Sequence, residues 1–149
     1  MELQDSIQQI LSGKTGPVWT AEPYMTVYDA LERMAEKEVG ALPVIAGGVL
    51  VGMLSERDYA RKVILRGRAS RETLVADIMM TPPLTVSPEA TVDECMRLMT
   101  EHRVRHLAVI EDAQLKSVIS IGDLVNWMIH SQRQTIRHLS EYISGAYPG

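Results

Sequence analysis

Residues 52–58 read Gly-Met-Leu-Ser-Glu-Arg-Asp, and residues 117–123 read Ser-Val-Ile-Ser-Ile-Gly-Asp. In both stretches an apolar run ends in a serine, and an aspartate follows three residues later. A hydroxyl and a carboxylate at this spacing can form a capping box, in which both side chains accept hydrogen bonds from backbone amides at a helix start. Each stretch therefore predicts a strand that passes directly into a helix. The shared pattern also predicts an internal repeat.

The repeat extends well beyond these two stretches. Residues 17–64 align with residues 82–129 without a gap, and 15 of the 48 pairs are identical. Each copy has the pattern β-α-β-β-α, and each first helix is expected to begin at a threonine, Thr26 or Thr91, followed by an acidic residue at capping-box spacing. The predicted strands are 18–20, 42–45 and 50–54 in the first copy and 84–86, 107–110 and 115–119 in the second.

This pattern predicts an α+β fold made of two tandem units that pack as a pseudo-two-fold pair. The units are expected at 14–66 and 79–130, joined by a linker over 67–78 that contains a helical turn. An N-terminal helical segment is predicted within 1–13, with a short helix at 3–11. The last helix is expected to run from Asp123 to Ser144, in an extension and tail over 131–149. Its predicted apolar stripe consists of Trp127, Met128, Ile136, Leu139 and Ile143.

Composition limits the class of protein. The 149 residues carry a net charge of -4, which argues against a general nucleic-acid coat. The single cysteine, Cys95, excludes an internal disulfide and fits a reducing compartment. The chain begins with an acidic segment unlike a signal peptide, and no apolar run is long enough for a membrane helix. These features predict a soluble, cytoplasmic protein that does not associate with membranes.

Residues that could carry catalysis or hold a metal are sparse. No nucleophile, base and orienting acid share a suggestive spacing, and His102 and His106 lack the glutamate of a zinc-binding HExxH helix. Cys95 falls on the core face of a predicted helix, where it is expected to pack. The sequence therefore predicts a protein that is not an enzyme and has no metal site.

The repeat, its element order and the motif Gly-hydrophobic-x-Ser/Thr-x-x-Asp together resemble a tandem pair of CBS domains, also called a Bateman module. The resemblance covers roughly residues 14–130. Proteins of this family bind adenosine-containing ligands, such as AMP, ADP, ATP, NAD or S-adenosylmethionine, in two clefts between the paired domains. They commonly form dimers.

The resemblance assigns roles to individual residues. Ser55 and Ser120 would contact ribose or phosphate, and Asp58 and Asp123 would accept the ribose hydroxyls. Arg57, inside the motif, would reach a phosphate. Other positions are expected to line the clefts or approach the base: Gly40, Ala41, Pro43, Arg105, His106, Ala108, Lys14 and Met80. The second copy departs from the family pattern at Ser117, which replaces the motif glycine, and at Ala108, which stands where the first copy has Pro43.

The two clefts are expected to differ in charge. Arg105 and His106 occupy the positions that Gly40 and Ala41 hold in the first copy, and related proteins point basic residues at such positions toward ligand phosphates. A ligand on Ser55 and Asp58 would then meet Arg105 or His106. Because charge-assisted hydrogen bonds are the stronger ones, ADP or ATP should prefer that cleft.

Three functions fit these features. The first is a regulatory module that senses adenine nucleotides and signals occupancy to a regulated partner or to its own oligomer, expected to be a homodimer. The second is a dimerisation adapter without ligand, against which the retained Asp58 and Asp123 argue. The third is nucleic-acid binding through the basic stretch 57–71, which the net acidity and the lack of interleaved aromatic residues oppose.

Overall fold

A computed structural model of the protein describes residues 5–143. Helices and strands alternate as predicted, so the α+β class is confirmed. The helices are α1 (Gln8–Ser12), α2 (Val27–Lys37), α3 (Glu56–Tyr59), α4 (Val75–Ile78), α5 (Val92–His102) and α6 (Ile121–Ile143). The strands are β1 (Ala41–Ala46), β2 (Val49–Ser55), β3 (Thr85–Val86), β4 (His106–Glu111) and β5 (Gln114–Ser120). A π-helical turn, Ala60–Ile64, continues α3.

The hairpin strands of both copies form as the sequence predicts. β1 pairs antiparallel with β2, from Ala41 opposite Ser55 to Ala46 opposite Val49. The second sheet has the order β3-β4-β5, in which β3 runs parallel to β4. The turn of the first hairpin uses two glycines at positive φ, and the second uses Asp112 and Ala113 at φ 52° and 62°. Two consecutive residues at positive φ match the right-handed twist of a tight hairpin.

The predicted helix starts at Thr26 and Thr91 are confirmed. The Thr91 hydroxyl accepts a hydrogen bond from the Glu94 amide at 3.0 Å, and the Glu94 carboxylate accepts one from the Thr91 amide at 3.2 Å. Thr26 accepts a hydrogen bond from the Asp29 amide at 3.2 Å. These caps fix where α2 and α5 begin, and therefore where the strands that follow them enter the fold.

The predicted strand at 18–20 is wrong. Only Ala21 pairs with β1, through hydrogen bonds from the Ala21 amide to the Pro43 carbonyl and from the Ile45 amide to the Ala21 carbonyl, both 2.9 Å long. The next bonds of a parallel ladder would need amides from Pro23 on one side and Pro43 on the other, and proline has none.

In the second copy only one of these two positions is a proline. Ala108 stands where the first copy has Pro43, and its amide donates to the Leu84 carbonyl at 3.1 Å. The short strand β3 forms beside it. The departure at Ala108 noted in the sequence therefore has a structural consequence, which is one more hydrogen bond in the ladder.

The ends of the chain differ from their predicted bounds. The first helix begins at Gln8 rather than at residue 3, because Asp5 and Ile7 instead form backbone hydrogen bonds with the segment 90–92. α6 begins two residues earlier than predicted and extends to Ile143. The predicted tail 144–149, residues 1–4 and the side chains of Ile136, Leu139 and Ile143 lie outside what the structure describes. The predicted helical turn in the linker is confirmed as α4.

The chain divides into two compact units that do not coincide with the sequence repeats. The helical unit comprises residues 1–15, 88–105 and 119–149, and the strand unit comprises residues 16–87 and 106–118. Buried side chains of the helical unit include Ile7, Val92, Cys95, Met99 and Leu124. The core of the strand unit includes Val27, Met34, Leu42, Val44, Leu54, Val63 and Ile78.

The described part of the chain has neither a membrane-spanning helix nor a cluster of metal-binding side chains. None of its helices is both long enough and apolar enough to cross a membrane. Within residues 5–143, no group of three or more His, Cys, Asp or Glu side chains is arranged to hold a metal ion.

Candidate functional site

The first Ser–Asp junction, called site one below, lies where β2 meets α3. The backbone amide and the hydroxyl of Ser55 each donate to Oδ2 of Asp58 at 3.0 Å, and the Asp58 amide donates back to the Ser55 hydroxyl at 3.3 Å. The predicted capping box is therefore present in full. It positions the Asp58 carboxylate through Oδ2, and Oδ1 takes no part in these three bonds.

A lysine outside the predicted site faces that second oxygen. Lys62 Nζ lies 3.5 Å from Asp58 Oδ1 and donates to the Ile78 carbonyl at 3.0 Å. Lys62 belongs to the π-helical turn, a geometry often found at functional sites. The i,i+4 spacing of Asp58 and Lys62 was the available signal for this contact.

His106 reaches site one from the second copy. A Cβ built on Gly40 would lie 3.3 Å from Cε1 of His106 and 3.8 Å from Oε1 of Glu56. The Glu56 amide in turn donates to the Gly40 carbonyl at 3.1 Å. The imidazole thus lies against Gly40, the residue that precedes β1. Gly40 is hydrogen-bonded to Glu56, which directly follows the serine of the capping box. Glu56 was not predicted as a neighbour of this site.

Three expected lining residues are buried. Ala41 and Ala108 pack in one cluster with Met53, and Pro43 is also buried in β1. Their side chains therefore shape the strand surface, and contact with a ligand would come mainly from neighbouring backbone.

Met80 lies beside β2 rather than at a loop tip. Its amide donates to the Met53 carbonyl at 2.8 Å, and the Met53 amide donates to the Met80 carbonyl at 3.0 Å. This pairing explains the motif glycine, because a Cβ on Gly52 would lie only 2.6 Å from Sδ of Met79 and 3.0 Å from the Met80 carbonyl oxygen.

The second junction, called site two below, has the same frame at the start of α6. The Ser120 amide donates to Oδ2 of Asp123 at 2.9 Å, and the Asp123 amide donates to the Ser120 hydroxyl at 3.1 Å. The Ile121 amide donates to the Arg105 carbonyl at 2.9 Å, as Glu56 does to Gly40 in site one. In both sites the first and third amides of the helix are engaged within the protein, which reduces what the helix start can offer an anion.

Lys14 distinguishes site two from site one. Its Nζ lies 2.8 Å from Oδ2 of Asp123, and both side chains are partly exposed. Burial of the carboxylate by itself raises the pKa of Asp123, but the hydrogen bond from Lys14, those from Ser120 and the lysine charge outweigh it. The pKa of Asp123 is therefore lowered from its ordinary value.

The structure sorts the predicted residues into two groups. Those in the strand unit are Gly40, Ala41, Pro43, Ser55, Arg57, Asp58, Met80, His106 and Ala108, and those in the helical unit are Lys14, Arg105, Ser120 and Asp123. His106 is thereby grouped with site one, and the neighbouring Arg105 with site two.

Two β-α-β-β-α repeats, each with a Ser–Asp capping box where its second hairpin strand enters a helix, define a tandem-repeat module of the Bateman type. The sequence model of the CBS domain matches residues 9–65 and 75–130. The chain therefore belongs to the CBS-domain family, and it is a CBS-domain regulatory module with the tandem-pair fold.

Individual relatives agree with this assignment. The chain is 44% identical over 127 residues to the mitochondrial CBS domain-containing protein CBSX3 of Arabidopsis thaliana, covering 82% of this chain but 62% of that relative. A CBS-domain structure from Burkholderia ambifaria is 46% identical, with a TM-score of 0.82 over 85% of this chain and 96% of that one. The structure of CBSX2 in complex with AMP is 25% identical, with a TM-score of 0.69 over 85% of this chain and 97% of that one.

Proposed function

We propose that this protein is a regulatory module, not an enzyme, that binds adenosine-containing nucleotides (AMP, ADP, ATP or NAD) at sites one and two. Occupancy of these sites would be signalled to a regulated partner or to the protein's own oligomer. The observation that carries the proposal is the pair of equivalent Ser–Asp junctions, each holding a carboxylate in one fixed orientation. The AMP complex of the relative CBSX2 supports the choice of ligand class.

The chemistry of Asp58 suits a ribose. An ionised carboxylate has about four lone-pair positions. In Asp58, Oδ2 accepts both Ser55 hydrogen bonds, while Oδ1 faces Lys62 at 3.5 Å, which is beyond a good hydrogen bond. A pair of adjacent ribose hydroxyls could donate to Oδ1 without breaking the capping box.

The phosphate end of a ligand at site one would find a basic side chain nearby. His106 lies against Gly40 of this site. When protonated, an imidazole forms charge-assisted hydrogen bonds that are about twice as strong as neutral ones. We therefore propose that ADP or ATP binds site one in preference to site two.

Thermal unfolding tests the proposal directly. A ligand at 100 times its dissociation constant adds about 2.7 kcal/mol to the free energy of unfolding. For 149 residues this corresponds to a rise of roughly 5–11 °C in melting temperature. The absence of a shift with AMP, ADP, ATP and NAD at millimolar concentration would contradict nucleotide sensing.

The variants Asp58→Ala and Asp123→Ala assign the binding to the two sites. Loss of hydrogen bonds to a charged acceptor should weaken affinity at the altered site about 10- to 150-fold, while loss of the cap should cost only about 1 kcal/mol of stability. Asp93→Ala is the matched control, since its carboxylate is exposed and pairs with Arg97 on α5. Calorimetric titration measures both affinities.

A ligand-free dimerisation adapter is the second candidate. The specific observation in its favour is that each Ser–Asp pair already satisfies backbone amides, so the residues have a structural role without any ligand. If Asp58→Ala and Asp123→Ala lower stability but bind nucleotide as the unaltered protein does, the capping role is their whole function.

The homodimer also stays a proposal. Val125 and Ile129, one turn apart on α6, are more than a third exposed. Within the described residues, the buried Nε1 of Trp127 has no hydrogen-bond partner. Native mass spectrometry of the freshly purified protein would show both the number of chains and any bound nucleotide.

We propose a cytoplasmic location for the protein on the basis of its composition, whereas the Arabidopsis relative is named mitochondrial.

A further inference from the structure

The repeat makes the contact between Lys14 and Asp123 informative. At the same offset of 65 residues, three positions before the aligned stretch begins, the counterpart of Lys14 is Met79. Met79 packs its thioether against Gly52 in site one, whereas Lys14 places an ammonium 2.8 Å from the carboxylate of site two. The two sites therefore share the Ser–Asp capping box but differ at this equivalent position, which is Met79 in site one and Lys14 in site two.

Lys14 is held in place by an anchored N-terminal segment. The Ile7 amide donates to the Ala90 carbonyl at 2.8 Å, and the Val92 amide donates to the Asp5 carbonyl at 3.0 Å. The Ile7 side chain is fully buried, and α1 contacts α6. The chain leaves α1 through Gly13, so Lys14 lies at the end of a segment fixed to the helical unit. Its approach to Asp123 is thus built into the fold.

The ion pair engages the carboxylate that a ribose would need. Oδ2 of Asp123 accepts from the Ser120 amide at 2.9 Å and from Lys14 at 2.8 Å. In site one, Oδ2 of Asp58 accepts from the Ser55 amide and hydroxyl, and the Lys62 ammonium lies 3.5 Å from the other oxygen. Ribose hydroxyls that donate to Asp123 therefore either share its negative charge with the Lys14 ammonium or displace that ammonium from Oδ2.

We propose that Lys14 is a specificity-determining residue of site two, where it competes with the ribose hydroxyls of a ligand for the Asp123 carboxylate. This inference rests on the proposed function. A partly exposed ion pair of this kind contributes a modest free energy, so its removal should strengthen ribose binding at site two about 2- to 5-fold.

Calorimetric titration with adenosine tests the competition without interference from phosphate. The comparison uses Lys14→Met in an Asp58→Ala background, so that site two alone is measured and position 14 carries the residue found at position 79. Lys116→Met is the matched control, because this exposed lysine lies on β5 and loses the same charge. Adenosine should bind the Lys14→Met protein about 2- to 5-fold more tightly than the background protein, and the Lys116→Met protein unchanged.

The other outcomes separate the two hypotheses. Unchanged or weaker adenosine binding in Lys14→Met, with AMP still bound at site one in an Asp123→Ala protein, would overturn the competition while nucleotide sensing stands. Equal gains in Lys14→Met and Lys116→Met would reduce the effect to net charge and would also overturn it. If AMP and adenosine bind none of the proteins, the proposed function fails and this inference fails with it.

Discussion

Gly52→Ala is the sharpest test of how the segment before β3 is held against β2. A Cβ at this position would lie 2.6 Å from Sδ and 3.0 Å from Cγ of Met79, and 3.0 Å from the Met80 carbonyl oxygen. The Met79 side chain can rotate away. The carbonyl oxygen cannot move without loosening the two backbone hydrogen bonds, 2.8 and 3.0 Å long, that join Met80 to Met53.

The expected cost follows from these contacts. An extra methyl group in a filled space destabilises a protein by about 1–3 kcal/mol. For a chain of this length the melting temperature should fall by roughly 2–12 °C. Because Met80 is a proposed ligand contact, AMP affinity at site one should fall as well, whereas site two should be unaffected.

Urea unfolding measures this loss of stability in four proteins: the unaltered chain, Gly52→Ala, Met79→Ala and the double variant. If the clash with the thioether dominates, Met79→Ala should recover part of the loss, and the double-mutant cycle should show coupling. Gly122→Ala is the control, since its Cβ would meet only the Ser120 hydroxyl at 3.6 Å in the first turn of α6. That change should be neutral or stabilising by up to about 1 kcal/mol. A Gly52→Ala protein as stable as the unaltered chain, with no coupling to position 79, would refute the reasoning.

Two further predictions come from ionisable groups. The lowered pKa of Asp123 means that this group contributes stability that is fully present above about pH 4 and is lost as the pH falls through the lower pKa of the folded protein. Urea unfolding between pH 2 and 6 should therefore show a shallower pH dependence in Asp123→Asn, and identical profiles would contradict the shift. Burial, aided by the charge of Glu94, raises the pKa of Cys95 to about 11. Labelling by a disulfide reagent at pH 8 should consequently wait for unfolding, and rapid labelling of the folded protein would show that the thiol is accessible.

Local sequence patterns were sufficient for the hairpins and the capped helices. Leu42 and Leu54 belong to short apolar runs on either side of a glycine turn, and Thr91 with Glu94 marks a helix start, so the signals lie within a few residues of the element they specify. The strand predicted at 18–20 failed for a non-local reason. Its ladder depended on an amide at position 43, which a proline occupies.

The contacts of the candidate site likewise divide into local ones, which the sequence predicts, and non-local ones, which it does not. The capping boxes at Ser55 and Ser120 could be predicted because their partners are three residues away. The pairing of Lys14 with Asp123 joins residues 109 positions apart, and the neighbours of His106 come from the other repeat. Neither contact has a periodicity or spacing that a single sequence displays. The π-helical turn that brings Lys62 to Asp58 is likewise absent from copy two, although the two copies align there without a gap.

The cluster of Ala41, Met53 and Ala108 bears on the folding of the chain. It joins strands from both repeats, with Leu50, Leu115 and Val118 packed against it. A single repeat on its own would leave this apolar strand surface in water, at a free-energy cost that grows with the exposed apolar area. In the present chain this cluster joins positions more than sixty residues apart. We therefore expect the first repeat to gain this part of its stability only after the second hairpin has been synthesised.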